Sequence, residues 1–153
     1  MEIERKFLTK ELPFDITAYP YKAITQAYLS FSPTIRIRQS NADYILTVKG
    51  KGHLAREEFE LPLSKAEYDR LSLKTEGTPV RKKRYLVPIA GGLTAEVDIY
   101  EGELQGLMTT EVEFPSLEAA EGFTAPAWFG RDVSEEKAYK NTSLSLYGIP
   151  KEP

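Results

Sequence analysis

The chain contains no cysteine, so a disulfide framework and thiolate chemistry are both closed to it. It contains one histidine, His53, which leaves histidine-rich zinc sites and serine–histidine triads almost nothing to draw on. No apolar run approaches the roughly 18 residues of a membrane span, and the opening MEIERKFLTK has no apolar signal segment. The expected setting is therefore the cytoplasm, without a membrane partner. A formal net charge of −3 argues against a nucleic-acid binder that works through a broad basic surface. Internal repeats, low-complexity stretches and an inter-domain linker are all missing, so the 153 residues are expected to form one domain spanning 1–153.

The chain does have charge placed at every second position, in six short stretches: Glu2, Glu4 and Lys6; Arg36 and Arg38; Arg56, Glu58 and Glu60; Lys82 and Arg84; Glu96 and Asp98; Glu111 and Glu113. Side chains of a β-strand alternate between faces, so each set shares one face of its strand. Ile3 and Phe7, Ile35 and Ile37, Phe59 and Leu61, Val97 and Ile99, and Val112 and Phe114 take the other. Alternation and turn punctuation predict eight strands, near 2–8, 22–31, 34–40, 43–50, 55–62, 79–88, 93–101 and 107–115. Tight connections at Ser32-Pro33, Asn41-Ala42, Gly50-Lys51-Gly52 and Gly91-Gly92 favour antiparallel pairing. Ser64 with Glu67 makes a capping box for a helix near 65–74, and Ser116 caps a short one near 117–122. Ser134, with Glu135 and Glu136, opens a third that ends around Asn141 and resumes through Leu146; residues 123–133 read as a structured loop.

Ordered charges of both signs on one face fit a barrel with a polar, ligand-filled interior. The carboxylates (Glu2, Glu4, Glu58, Glu60, Glu96, Asp98, Glu111, Glu113) suit a hard divalent cation, Mg²⁺ or Mn²⁺. The cations (Lys6, Arg36, Arg38, Lys49, Arg56, Lys82, Arg84) suit phosphate oxygens, because arginine offers a rigid fork and lysine a compact charge. Seven cations against eight carboxylates leave −1, and two divalent ions would turn that into +3. That balance matches a polyanion bound through metal. A sheet whose solvated face bears cross-strand salt bridges accounts for the same alternation, and both arrangements stay open on pattern alone. Arg5, Glu57 and Lys83 put charge on the opposite, apolar face, and either a place near a rim or an incompletely covered strand would account for them. Trp128 and Phe129 read as packing anchors, Tyr139 as a pin for the last helix, and His53 as a surface turn residue.

In order, these residues resemble the CYTH superfamily, the triphosphate tunnel metalloenzymes, over 2–141. Glu-Ile-Glu-Arg-Lys at 2–6 is similar to the family's opening motif, and Thr34 to Arg38 to its Arg-x-Arg strand. Thr47-Val48-Lys49-Gly50, Arg56 to Glu60 and Lys82-Lys83-Arg84-Tyr85 resemble its phosphate strands. Val97-Asp98, Glu111 to Phe114 and Tyr139-Lys140-Asn141 follow as its metal end and tail. The resemblance implies a β-dominated α+β fold: a closed eight-stranded antiparallel barrel with short flanking helices and a C-terminal helix. It also implies metal-dependent hydrolysis of a triphosphate, inorganic tripolyphosphate first among substrates, with adenylate cyclase, thiamine triphosphatase and a non-catalytic polyphosphate-binding module as alternatives. Carried over, Glu2, Glu4, Asp98, Glu111 and Glu113 would hold two cations. Lys6, Arg36, Arg38, Lys49, Arg56, Lys82 and Arg84 would clamp phosphate, with Glu2, Glu4 and Lys49 serving catalysis. The apolar outer face also makes a homodimer a reasonable expectation.

Overall fold

The computed structural model describes residues 2–51 and 55–151; His53 and the Gly52 end of its turn lie outside the described residues. In chain order the elements are β1 (Glu2–Leu8), β2 (Tyr21–Phe31), β3 (Thr34–Ser40), β4 (Asp43–Lys49), β5 (Ala55–Arg56) and β6 (Glu58–Leu63). Then come α1 (Lys65–Ser72), β7 (Glu76–Ile89), β8 (Leu93–Glu101), β9 (Met108–Glu113), α2 (Leu117–Glu121) and α3 (Asn141–Tyr147). Every strand pairing is antiparallel, in the order β5-β1-β9-β8-β7-β2-β3-β4-β6.

The strand expected over 55–62 is interrupted at Glu57, and the interruption closes the fold. β5 pairs with β1 through Glu2↔Arg56 and Ile3↔Ala55, while β6 pairs with β4 from Lys49↔Glu58 to Tyr44↔Leu63. One run of chain thus joins the two edges, and β5 with β6 forms the eighth stave of a barrel. The Gly50 N–H donates to the Glu57 carbonyl at 2.7 Å, fixing the point where the stave changes partner.

Alternation sends the apolar side chains outward, where later elements cover them. Phe7, Val97, Val112 and Phe114 pack beneath Phe129 of the 123–133 loop. Trp128 stacks edge-on against Phe14 at 5.2 Å and Phe129 at 4.5 Å, the anchoring expected of it. Ile37 and Ala27 are covered by Tyr68 of α1. Ser64 and Glu67 close the expected capping box, and the Ser116 hydroxyl accepts from Ala119 N–H. Phe59 and Leu61 remain 60% and 48% exposed on the outside of β6.

Two expectations change. Ser134 caps no helix: its Oγ accepts the Lys6 N–H at 2.9 Å, tying the tail to β1, and α3 begins at Asn141. Arg5, a charge on the apolar face, lies under the tail and not at a rim. It donates twice to Asp132 Oδ2, at 3.0 and 2.7 Å, and once to the Ala120 carbonyl at 2.9 Å.

The bore is not charged throughout. Val80 and Tyr100 follow Lys82 and Asp98 on the inward face and pack with Leu104, Val133 and Leu144. The Tyr100 hydroxyl donates to Asn141 Oδ1 at 2.9 Å, so α3 stoppers this end and leaves the charged cavity beyond it.

Candidate active site

A cavity of about 400 Å³ occupies the barrel, lined by eight cationic and seven acidic side chains. Their distribution follows the strand order. Glu58 and Glu60 on β6, Glu2 and Glu4 on β1, Glu111 and Glu113 on β9, and Glu96 on β8 form a continuous acidic wall. Arg84 on β7, Lys22 on β2, Arg36 and Arg38 on β3, and Lys49 on β4 form a basic wall facing it. Lys6 and Arg56 are the cations set within the acidic wall.

Register makes the acidic wall electrostatically costly by itself. Glu4 stands opposite Glu113, and Glu96 opposite Glu111, so like charges oppose each other on adjacent strands. Burial, with Glu4 beside it, pushes the Glu2 carboxyl up to about 7. Burial and then Glu111 raise Glu4, and burial raises Glu96. Glu111 goes the other way: burial alone would raise it, yet Arg84 and Lys6 hold it down to about 2. Arg84 Nη2 donates to Glu111 Oε2 at 3.2 Å, and Lys6 Nζ lies 3.9 Å from Oε1. Arg56 Nη2 bridges Glu2 at 2.8 Å and Glu4 at 3.0 Å.

The basic wall is strained in the opposite sense. Burial, then Arg36 and Arg84, lowers Arg38 to about 10; burial, then Arg36 and Arg56, lowers Lys49. Arg38 Nε donates to Gln26 Oε1 at 2.8 Å, and Arg36 Nη2 to Thr47 Oγ1 at 3.3 Å. Arg36 is buried, and among the described residues its Nε has no hydrogen-bond partner. Lys49 Nζ reaches Glu58 at 3.3 Å. Arg36 and Arg38, like charges on one face of β3, favour an anion between them.

The donors on the acidic wall are all carboxylate oxygens, which fit Mg²⁺ or Mn²⁺ by hardness, and the opposed pairs supply a reason for a cation. Among the described residues no three acidic or histidine groups converge tightly enough to hold an ion as they stand. Glu2 and Glu4 are instead turned toward Arg56, and Glu111 toward Arg84 and Lys6.

Of the residues predicted from sequence, Glu2, Glu4, Lys6, Arg36, Arg38, Lys49, Arg56, Arg84, Glu111 and Glu113 line this one cavity. Lys82 and Asp98 do not; they lie deeper, ion-paired at 2.7 Å and with fully buried side chains. Glu58, Glu60 and Glu96, further members of the carboxylate set suited to a cation, also stand in the acidic wall. Tyr28 and Lys22 also line the cavity and escaped sequence reasoning, and Lys140, noted only within the tail motif, lines it as well. Tyr28, whose hydroxyl accepts from Gln26 at 3.3 Å, sits on a strand whose inward positions give no alternating charge signal. Lys140 arrives from the tail, where only tertiary folding could reveal its position.

The CYTH domain model matches residues 1–145, the whole barrel and most of its stopper. The chain belongs to the CYTH family. An inorganic triphosphatase of Nitrosomonas europaea is 41% identical over 150 residues, covering 95% of this chain and 97% of that protein. One from Acetivibrio thermocellus is 32% identical over 154 residues, covering 94% and 92%. A crystal structure of an inorganic triphosphatase superposes with a TM-score of 0.73 at 35% identity, covering 98% and 97% of the two chains. A Hippeastrum protein described as having a dominant triphosphatase activity matches at a TM-score of 0.57 and 17% identity, covering 80% and 83%, a likeness of fold alone. This CYTH domain therefore has relatives of equal length over the entire barrel, and both walls fall within the matched span.

Proposed function

We propose that the protein hydrolyses the terminal phosphoanhydride bond of inorganic tripolyphosphate with the help of Mg²⁺ or Mn²⁺, two ions being the expected number. The observation that carries this reading is the division of one cavity into an acidic and a basic wall. A triphosphate is a polyanion that binds both arginine forks and divalent ions, so it meets both walls at once. Curated relatives at 41% and 32% identity are inorganic triphosphatases, which supports the same chemistry here.

Arg36, Arg38 and Lys49 would take phosphate oxygens, together with Lys6, Arg56 and Arg84 from the remaining staves. Glu2, Glu4, Glu111 and Glu113 would hold the ions. Bound there, the ions would neutralise phosphate charge and acidify coordinated water. The water oxygen forms a bond to the terminal phosphorus while the bond from phosphorus to the bridging oxygen breaks, leaving phosphate and pyrophosphate. Catalysis of this kind rests on positioning and charge stabilisation, which a rigid barrel lined by guanidinium groups provides. Lys49, next to the Glu2–Arg56 cluster, is the cation we assign to the charge developing on the leaving pyrophosphate.

A bare triphosphate is preferred over a nucleotide or thiamine ester because the lining offers little apolar surface. Ile24, Tyr28, Ile45 and Val133 are scattered among the charges and build no platform for a ring. The setting we assign is the cytoplasm. Phosphate release from tripolyphosphate, ATP, thiamine triphosphate and pyrophosphate, each with Mg²⁺, Mn²⁺ or EDTA, tests the reading. Release from tripolyphosphate that EDTA abolishes is expected; no release from any of the four with either metal would overturn it.

A further inference from the structure

Arg84 is held by three carboxylates at once. Its Nε donates to Asp98 Oδ1 at 2.8 Å and its Nη2 to Asp98 Oδ2 at 2.9 Å, a fork-to-fork pair. The same Nη2 reaches Glu111 Oε2 at 3.2 Å, and Nη1 lies 3.8 Å from Glu96 Oε2. Behind this pair, Lys82 Nζ donates to Asp98 Oδ2 at 2.7 Å and lies 5.3 Å from the centre of the Tyr100 ring. The side chains of Lys82 and Asp98 have no solvent exposure, and neither lines the cavity that Arg84 lines.

Asp98 therefore has both oxygens engaged by cations and stands one layer below the carboxylates that face the bore. To reach an ion in the cavity it would have to release Arg84 and leave Lys82 buried without a counter-charge, a change that is strongly destabilising. Lys82 meets the same obstacle, because reaching a phosphate would strand Asp98. We propose that Asp98 is a positioning residue, not a metal ligand: with Lys82 as its neutralising partner, it fixes the Arg84 guanidinium where that group meets the triphosphate. Arg84 is thereby aimed by a carboxylate outside the cavity. The proposal rests on the triphosphatase reading for the identity of the anion, but not for the geometry of the pair.

Two bindings measured separately test it: Mn²⁺ to the metal-free protein without triphosphate, and tripolyphosphate to the protein in EDTA. Asp98→Asn is expected to leave Mn²⁺ affinity within about twofold and to weaken tripolyphosphate about tenfold. Arg84→Lys should weaken tripolyphosphate to a similar degree, and adding Asp98→Asn to it should cost nothing further, because both changes remove one aimed guanidinium. Should Asp98→Asn fail to fold with Lys82 still charged, Lys82→Met with Asp98→Asn removes both charges and carries the same expectations. A fall in Mn²⁺ affinity as large as that of Glu111→Gln would overturn the proposal, as would full additivity with Arg84→Lys. Unchanged Mn²⁺ affinity in Glu111→Gln would reject the metal-site reading, while the Arg84 and Asp98 combination would still decide this proposal.

Discussion

Arg38 donates to Gln26 in the basic wall, and among the described residues no carboxylate bonds to it directly. A charge-assisted hydrogen bond contributes about 1.5–3 kcal/mol, so Arg38→Ala should raise KM for tripolyphosphate about ten- to a hundredfold. Steady-state kinetics over a wide substrate range checks this, and an unaltered KM would count against a phosphate contact. Glu111→Gln should lose metal-dependent turnover while the fold persists, since Arg84 keeps both of its bonds to Asp98. Circular dichroism and phosphate release together read that outcome; retained turnover would reject Glu111 as a metal residue. At this scale most of the cavity was legible in the sequence, because alternate charges in a strand can only share a face. Depth was not legible. Lys82 and Arg84 carry the same alternation, yet one is sealed behind Asp98 and the other meets the bore. Tyr28 carried no pattern at all, and the tail motif that holds Lys140 gave no hint that it reaches the cavity.

The tail is an element in its own right, pressed against β1 along its length. Gly130 N–H donates to the Leu8 carbonyl at 2.7 Å, and Leu8 N–H to the Arg131 carbonyl at 2.9 Å. A Cβ at Gly130 would fall 2.5 Å from that Leu8 oxygen, a contact that backbone must move to relieve. Gly130→Ala should cost about 1–3 kcal/mol and loosen Val133 and Ser134 at the cavity. Chemical denaturation measures the first effect, and an unchanged midpoint would show that the tail yields freely. Strand alternation and capping boxes were readable in advance because they are local. The break at Glu57 was not, since two partners on opposite edges of a sheet decide it. Ser134 looked like a helix cap for the same reason: its true acceptor role toward Lys6 N–H spans 128 positions of sequence.

For the whole molecule, the acidic wall sets how stability depends on pH. Native Glu2 titrates near 7 against an ordinary 4.5, so between those values the native state keeps a proton that the unfolded chain has lost. Stability from this group is full below 4.5 and fades as pH rises through 7. Native Glu111 titrates near 2 against an ordinary 4.5, so its contribution is full above 4.5 and lost as pH falls toward 2. Between about pH 5 and 7 the melting temperature of the metal-free protein should therefore decline as pH rises. Thermal unfolding in EDTA tests this against Glu2→Gln, which should flatten the decline; identical slopes would contradict the assignment. The barrel itself was legible from eight alternating runs with short turns. Its division into two walls was not, because the order of staves around a closed sheet is not the order of strands along the chain.

That division is the central claim. Its most direct test is a crystal structure with Mn²⁺ and tripolyphosphate, using anomalous scattering to locate the metal. Manganese peaks among Glu2, Glu4, Glu111 and Glu113, with phosphates against Arg36, Arg38 and Lys49, are the predicted result. Manganese on the basic wall, or tripolyphosphate bound outside the barrel, would contradict the account.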